Sequence, residues 1–299
     1  MKIGIIGLGR MGSSIAHRLV KAGHKVVGFD VSIENARMAR EQGIEIVAHA
    51  PVVALEARII WLLLPAGKIV DDVVQELLPN LRPGDIIIDA GNSHYTDSVR
   101  RAQLLIKDEI AFIDCGTSGG LQGRELGFCL MIGGERASFE RIEDLCKAVA
   151  APQGYAHVGP SGAGHYVKMI HNGIEYALLQ AYAEGFQLLK EGNYEQLDLA
   201  QISALWNHGA VIRSWLLALT SEIMHHDQEL REISGRLDQS GTGTWTVEEA
   251  HAQKVPVPCI EKAVAVRSWS QESGGNYATK LIALLRNKFG GHAVHKVEK

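Results

Sequence analysis

Four polar residues share one face of an otherwise apolar helical segment, residues 164–176. They occupy positions i, i+3, i+4 and i+7 of a helix, a spacing that brings side chains to one side: Lys168, His171, Asn172 and Glu175. At about 1.5 Å of rise per residue, Lys168 and Glu175 lie roughly 10 Å apart along the axis. A polar substrate fits between them, with one group acting as general base and the other as general acid.

The rest of this segment is so apolar that we expect the helix to be buried on all sides. A buried ammonium or carboxylate costs several kcal/mol unless it is paired or hydrated. The alternative to a catalytic role is therefore that Lys168 and Glu175 reach solvent at a cleft or pair with charges elsewhere. His171 is equally open to interpretation as a ligand-binding residue or as a hydrogen-bonded core histidine.

A glycine-rich turn directly follows the first apolar run of the chain. It has the spacing of a dinucleotide-binding fingerprint and consists of Gly7, Leu8, Gly9, Arg10, Met11 and Gly12. Its glycines allow close approach of the backbone to a pyrophosphate, which the N-terminus of the following helix then binds. Asp30 ends the second apolar run, where an acid binds the ribose hydroxyls. Because a carboxylate repels a 2′-phosphate and Val31 supplies no cation, we predict NAD as the cofactor.

The composition excludes several other classes of protein. The chain has 299 residues, 46% of them hydrophobic and 21% charged, and a net charge of -4, without the basic excess of a nucleic-acid binder. The four cysteines form no Cys-x-x-Cys pair, so we expect no metal site, no disulfide framework and a cytoplasmic location. No apolar run approaches the roughly 20 residues of a membrane span.

The order of apolar runs predicts two domains. Residues 1–162 alternate short Val/Ile-rich runs with helical periodicity, which indicates an α/β Rossmann domain with a doubly wound, mostly parallel sheet. The predicted strands are 2–6, 25–29, 58–64, 85–89, 110–114 and 128–132. Residues 163–299 have helical periodicity and predict an all-α domain that ends in a C-terminal tail.

Several motifs together resemble the decarboxylating 6-phosphogluconate dehydrogenases. Besides the fingerprint and residues 164–176, they are Gly91-Asn92-Ser93-His94-Tyr95, Thr117-Ser118-Gly119-Gly120, Gly241-Thr242-Gly243-Thr244-Trp245-Thr246 and Ala265-Val266-Arg267. The resemblance runs nearly end to end and is closest to the short, NAD-linked bacterial branch of this family, which belongs to the β-hydroxyacid dehydrogenases. It implies a homodimer or homotetramer that converts 6-phosphogluconate to ribulose 5-phosphate and CO2 while reducing NAD.

The resemblance also implies the roles of individual residues. Lys168 becomes the base that takes the C3 hydroxyl proton, and Glu175 protonates C1 after CO2 is lost. Leu64 and Asn92 join the fingerprint and Asp30 in binding the cofactor. The substrate-binding positions are Asn92, Ser118, Gly119, Gly120, His171, Asn172, Tyr176, Arg267, Arg286 and His292. The last two belong to a C-terminal tail that the family resemblance implies reaches the partner subunit's site, and we expect them to act in trans.

Two positions depart from the longer, NADP-linked enzymes of the family. Ser240 stands where they carry a phosphate-binding lysine, and Pro65 replaces a lysine of their cofactor loop. Two alternative functions stay open at this point: a non-decarboxylating dehydrogenase of the 3-hydroxyisobutyrate type, and a catalytically silent NAD-binding sensor.

Overall fold

The chain forms two compact units. The computed structural model describes residues 1–239 and 241–297. The first unit comprises Met1–Met169 and the second begins at Ile170. A long helix, α8 (Ala163–Glu191), begins at the domain boundary expected from the sequence, but the division between the units lies inside it. The reason is that the first turns of α8 pack on the sheet of the first unit.

One eight-stranded sheet forms the centre of the first unit. Its strands are β1 (Lys2–Ile6), β2 (Lys25–Phe29), β3 (Glu45–Ile46), β4 (Ile59–Leu62), β5 (Ile86–Asp89), β6 (Ala111–Ser118), β7 (Phe128–Gly133) and β8 (Ala150–Gly159). The strand order is β3-β2-β1-β4-β5-β6-β7-β8, and only the β6–β7 pair is antiparallel. The predicted doubly wound, mostly parallel sheet is confirmed. The chain order reverses beside β1, where such sheets bind nucleotides at the carboxyl ends of their strands.

Two strands of this sheet have no counterpart in the sequence prediction. β3 is only two residues long, and β8 lies at the edge with mostly partly exposed or exposed residues, so neither produces an apolar run. The predicted strand 110–114 extends to Ser118 because its continuation pairs with β7. This extension carries the motif at residues 117–120 to the end of β6.

Helices cover both faces of the sheet. They are α1 (Arg10–Lys21), α2 (Ile33–Glu41), α3 (Ala50–Glu56), α4 (Lys68–Leu77), α5 (Tyr95–Leu105), α6 (Gly123–Leu126) and α7 (Arg136–Val149). Every residue of β4 and β5 is buried, as expected for parallel strands with helices on either side. Two separate apolar clusters, one including Ile15 and Trp61 and the other Val53 and Leu77, form the core of this unit.

The second unit is helical. After the end of α8 it contains α9 (Leu199–Trp206), α10 (Trp215–His226), α11 (Thr242–Ala252), α12 (Pro258–Ser273) and α13 (Tyr277–Gly290). Its core includes Phe186, Leu217 and Leu281. The expectation that α8 is buried on all sides is wrong, because Val167, Ile174 and Leu178 are between 38% and 52% exposed in the single chain. No helix in the described part of the chain could cross a membrane, and all four cysteines are free thiols.

The C-terminal tail lies along its own chain. Gly291 caps the C-terminus of α13, and its left-handed φ of 63° reverses the backbone. Ile233 and Lys296 then form an antiparallel bridge, and the N–H of Ser234 donates to the carbonyl of His295 at 2.8 Å. The tail is therefore a docked segment that backbone hydrogen bonds hold.

Candidate active site

The glycine-rich turn has the geometry that a pyrophosphate needs. Gly7 has a φ of 92°, and a Cβ there would lie 2.4 Å from the carbonyl oxygen of Leu63. A Cβ at Gly12 would lie 1.8 Å from the carbonyl oxygen of Gly7, so the turn tolerates no side chain at either position. A Cβ at Gly9 would meet no atom within 4 Å, which leaves open space at the N-terminus of α1. These features fit a bound dinucleotide.

The other fingerprint residues take distinct positions. α1 begins at Arg10, inside the fingerprint and earlier than the sequence pattern indicates. Arg10 is exposed, Leu8 is buried, and Met11 packs against the core. The Arg10 side chain therefore lies at the surface, next to the open space at Gly9.

Asp30 directly follows β2, and its carboxylate binds the glycine-rich turn. Its Oδ2 accepts a hydrogen bond from the N–H of Leu8 at 2.6 Å, and its Oδ1 accepts one from Ser32 at 2.7 Å. Each carboxylate oxygen can accept a further hydrogen bond. The neighbouring Val31 is 90% exposed and carries no charge. Asp30 is therefore oriented by the backbone and keeps acceptor capacity for ribose hydroxyls.

Two turns follow β4 and β5, and they touch each other. The first carries Leu64 and the second carries Asn92, which is exposed. A Cβ at Gly91 would lie 2.6 Å from the carbonyl oxygen of Leu64, so the contact requires glycine. The motif after β6 makes a third turn at the same edge of the sheet, in which Gly119 and Gly120 have φ values of 134° and 56°. The structure therefore brings these sequence-predicted residues of the first unit to one edge.

A buried carboxylate anchors the beginning of α8. Asp114 on β6 is fully buried and accepts hydrogen bonds from the N–H groups of Gly162 at 2.7 Å and His165 at 2.9 Å. A carboxylate at a helix N-terminus also interacts favourably with the helix dipole. The His165 ring hydrogen-bonds Ser98 on α5 at 2.7 Å. Lys168, only 8% exposed, lies on the next turn of this anchored helix.

Three glycines let α8 approach the sheet closely. A Cβ at Gly116 would lie 2.4 Å from Cβ of Lys168, and one at Gly164 would lie 2.4 Å from the carbonyl oxygens of both Asp114 and Met131. A Cβ at Gly133 would lie 2.6 Å from the backbone nitrogen of Gly164. The position of Lys168 above β6 depends on this close packing.

In the second unit, α8 packs closely on α11. A Cβ at Gly173 would lie 2.6 Å from a methyl group of Thr246, and one at Gly243 would lie 2.4 Å from the Tyr176 ring. The Gly-Thr-Gly-x-Trp-Thr motif is the start of α11, with Gly241 as the N-cap in a left-handed conformation. The motif therefore serves to bring α11 against the face of α8 that carries Tyr176.

Arg267 and Arg286 are both buried in the second unit. Arg267 is 2% exposed, and its guanidinium carbon lies 3.1 Å from the centroid of the Tyr176 ring. Its Nη2 has no hydrogen-bond partner among the described residues. Burial, assisted by the positive charge of Arg286, lowers the pKa of Arg267 to about 10 against the opposing effects of Tyr176 and Glu175. Two neighbouring buried cations with an unused donor make a site for an anion.

The remaining predicted residues lie in different surroundings. The rings of His171 and His292 have neighbours of their own, since His171 Nδ1 lies 3.1 Å from Asn172 Oδ1 and His292 stacks edge-on against Phe289. Arg286 is not in the tail but in α13, beside Arg267 of its own chain. This position corrects the expectation that Arg286 belongs to the tail. A contribution of Arg286 and His292 in trans stays a prediction, and Ser240 lies outside the described residues.

The structure adds residues that sequence reasoning missed. Asp114, His165 and Arg101 are buried and polar, and each connects segments far apart in sequence. Their only signal in the sequence is a charged or polar residue at the end of an apolar run or within a helix, which many surface residues share. The described residues contain no cluster of three metal-ligating side chains.

Two protein-family models match almost the whole chain. Residues 2–161 match the NAD binding domain of 6-phosphogluconate dehydrogenase, and residues 164–280 match the C-terminal domain of 6-phosphogluconate dehydrogenase. The chain belongs to the 6-phosphogluconate dehydrogenase family. The family predicted from the motifs is confirmed, and so are the prediction of an oxidoreductase and of NAD as its cofactor.

Similar proteins support this membership. A Haloferax volcanii protein named as an NAD(+)-dependent, decarboxylating 6-phosphogluconate dehydrogenase is 46% identical over 98% of either chain. The structure of Plasmodium falciparum 6-phosphogluconate dehydrogenase has a TM-score of 0.83 at 28% identity, covering 91% of this chain and 62% of that one. A Mycobacterium tuberculosis 3-hydroxyisobutyrate dehydrogenase has a TM-score of 0.76 at 23% identity, covering 95% and 99%, which shows a shared fold.

The close packing of α8 generates a prediction with a matched control on the same helix. Gly164→Ala should lower the free energy of unfolding by about 3 kcal/mol, because its Cβ meets two backbone oxygens that cannot move aside. Gly185→Ala lies at an exposed position with open space, and it should raise that free energy by about 0.5–1 kcal/mol. Urea unfolding followed by circular dichroism measures both. Equal stability of the two variants would contradict the packing argument.

Proposed function

We propose that the protein oxidises 6-phosphogluconate with NAD and releases CO2, which yields ribulose 5-phosphate. The observation that carries this proposal is a pair of buried arginines, Arg267 against the Tyr176 ring and Arg286 close enough to lower the pKa of Arg267. A phosphate dianion satisfies the unused donor and balances the two charges. A small hydroxy acid has a carboxylate as its one anionic group, whereas a phosphorylated sugar acid has a second one, so the pair favours a phosphorylated substrate.

Lys168 is the general base in this proposal. A neutral Lys168 amine accepts the C3 hydroxyl proton while hydride leaves C3. Its nearly complete burial supports this role, since desolvation disfavours the charged ammonium. The resulting ketone lies β to the carboxylate, so the bond to CO2 can break with its electron pair entering an enediol. The ammonium of Lys168 stabilises the developing negative charge on the carbonyl oxygen.

Glu175 is the general acid that completes the reaction. It lies seven residues after Lys168 on α8, on the same helix face, and donates a proton to C1 of the enediol. Asn92, Ser118, Gly119, Gly120, His171 and Asn172 bind the carboxylate and hydroxyl groups of the substrate. Tyr176, Arg267 and Arg286 bind its phosphate, with His292 as a further ligand. The chain acts as a homodimer or homotetramer.

NAD is held by the residues of the first unit. The backbone N–H groups at the N-terminus of α1 bind the pyrophosphate, and Asp30 accepts hydrogen bonds from the ribose. Leu64 and Asn92 contact the cofactor from the turns after β4 and β5. When bound, NAD accepts the hydride from C3.

A coupled assay tests the reaction and separates the two catalytic groups. The unaltered protein should release one CO2 per NADH from 6-phosphogluconate. Lys168→Met should lower kcat by about 10³-fold, because the base is lost. This protein should form NADH slowly from the first turnover, without a burst. Glu175→Gln should give a burst of one NADH per site followed by slow turnover, because only the later protonation fails. NADH without CO2 would contradict the proposal and indicate a non-decarboxylating dehydrogenase.

Cofactor preference follows from Asp30. The protein should prefer NAD, because the carboxylate repels a 2′-phosphate and Val31 provides no cation. Asp30→Asn combined with Val31→Arg should shift the ratio of kcat/KM values toward NADP, with Val31→Arg alone as the control for the added charge. A higher kcat/KM for NADP in the unaltered protein would overturn this assignment.

The phosphate site predicts a selective loss of substrate affinity. Arg267→Met should raise KM for 6-phosphogluconate by about 10²-fold and leave the Kd for NAD unchanged, because it removes a charge-assisted contact in the second unit only. Arg286→Ala should act in the same direction.

Mixing Arg286→Ala chains with Lys168→Met chains should restore no activity if Arg286 acts in cis. Restored activity in the mixture would show instead that Arg286 serves the partner subunit.

A further inference from the structure

Arg101 is an almost completely buried arginine that the catalytic proposal does not use. It lies on α5, and its side chain is 1% exposed. Its Nε donates to Asp71 at 2.7 Å, and its Nη2 donates to the carbonyl oxygen of Gly67 at 3.0 Å. Its Nη1 lies 3.3 Å from both Asp89 and Ser93. All three nitrogens of the guanidinium are therefore bound, each to a different segment.

One of these segments is the turn that carries Asn92. Asp89, at the end of β5, is fully buried and accepts hydrogen bonds from the N–H of Gly91 at 3.1 Å and the hydroxyl of Ser93 at 2.7 Å. The residues on either side of Asn92 are thus fixed by one carboxylate. A buried carboxylate requires hydrogen-bond donors or a counter-charge, and Arg101 provides the counter-charge of Asp89.

A second segment is the turn that carries Leu64, and the third is the first turn of α4, which carries Asp71. Gly67 ends this turn as the N-cap of α4, with a φ of 95°, and its carbonyl oxygen binds Arg101. The two turns are in contact, because a Cβ at Gly91 would lie 2.6 Å from the carbonyl oxygen of Leu64. A displacement of either turn therefore moves the other.

The neighbouring Arg100 provides a matched comparison. It also binds Asp71, at 2.9 Å, and it binds Asp97 at 3.1 Å, but its side chain is 46% exposed. Burial would raise the pKa of Asp71, yet the hydrogen bonds from Arg101 and Arg100 outweigh burial and lower it. The two arginines share a carboxylate, and of the two it is Arg101 that binds Gly67, Asp89 and Ser93, which border the two turns.

We propose that Arg101 is a positioning residue for the cofactor, which sets the spacing of the Leu64 and Asn92 turns at the carboxyl edge of the sheet. The inference rests on the proposed function in that Leu64 and Asn92 contact the cofactor. The planar guanidinium reaches three segments at once, whereas a lysine keeps the charge but has no such fork. A misplacement of about 1 Å at reacting groups costs about 10²-fold in rate.

The experiment compares Arg101→Lys with Arg100→Lys in the full chain. Arg101→Lys should raise the Kd for NAD by about tenfold and lower kcat by about 10²-fold. It should also increase the isotope effect with 6-phosphogluconate deuterated at C3, because hydride transfer becomes limiting. Amide hydrogen exchange should rise in residues 64–67 and 91–93. Arg100→Lys should change each quantity by less than about twofold, since an exposed ion pair contributes little.

Ser93→Ala gives an independent test that preserves every charge. It removes one hydrogen bond to Asp89 and one contact with Arg101, and it should lower kcat by about tenfold while KM for 6-phosphogluconate stays within about twofold. Equal NAD affinity, isotope effect and hydrogen exchange in the Arg101→Lys and Arg100→Lys proteins would overturn the inference, as would a fully active Ser93→Ala protein. If the unaltered protein forms no NADH from 6-phosphogluconate, the proposed function fails. The NAD titrations and hydrogen exchange still test Arg101 in that case, because neither needs a substrate.

Discussion

The carboxylate of Asp114 binds the first turn of α8, and the position of the helix face that carries Lys168 depends on that contact. Two backbone N–H groups that have no partner within a helix donate to Asp114, at 2.7 and 2.9 Å. Hydrogen bonds to a charged group contribute about 1.5–3 kcal/mol, which offsets part of the cost of burying the carboxylate. Glycines at 116, 133 and 164 then let the helix backbone lie against the strands. The contact of Asp114 with the start of α8 therefore sets the position of Lys168.

The two units use buried charge in opposite ways. In the first unit, Asp89 and Asp114 are fully buried, and each is compensated, one by Arg101 and the other by the N-terminus of α8. Compensated charges fix the backbone, so the turns at the sheet edge are rigid. In the second unit, Arg267 keeps an unused donor and lies near Arg286. Burial lowers the pKa of Arg267 and the charge of Arg286 adds to this effect, so a bound anion would stabilise the guanidinium.

Sequence patterns predicted the features that depend on a short stretch of the chain. The fingerprint, Asp30 and the polar face of α8 depend on spacings of a few residues, and sequence reasoning found all of them. It missed Arg101 and Asp114, because their partners lie in other elements of the fold and nothing local separates them from surface charges. It also expected α8 to be buried all round, although Ile174 is 52% exposed in the single chain. Apolar periodicity records which residues avoid water and does not say which surface covers them.

The likeness to 3-hydroxyisobutyrate dehydrogenases shows why fold cannot decide the substrate here. A TM-score of 0.76 at 23% identity means that the same sheet and helices serve proteins named for different substrates. The dinucleotide turn and the anchored start of α8 are requirements of hydride transfer to NAD, so they suit either activity. The feature that favours a phosphorylated substrate is the pair of buried cations, Arg267 and Arg286, because a buried cation is costly to maintain unless a partner or a ligand neutralises it. The observation that supports the proposed substrate therefore lies in the helical unit, on elements that contribute nothing to the nucleotide turn.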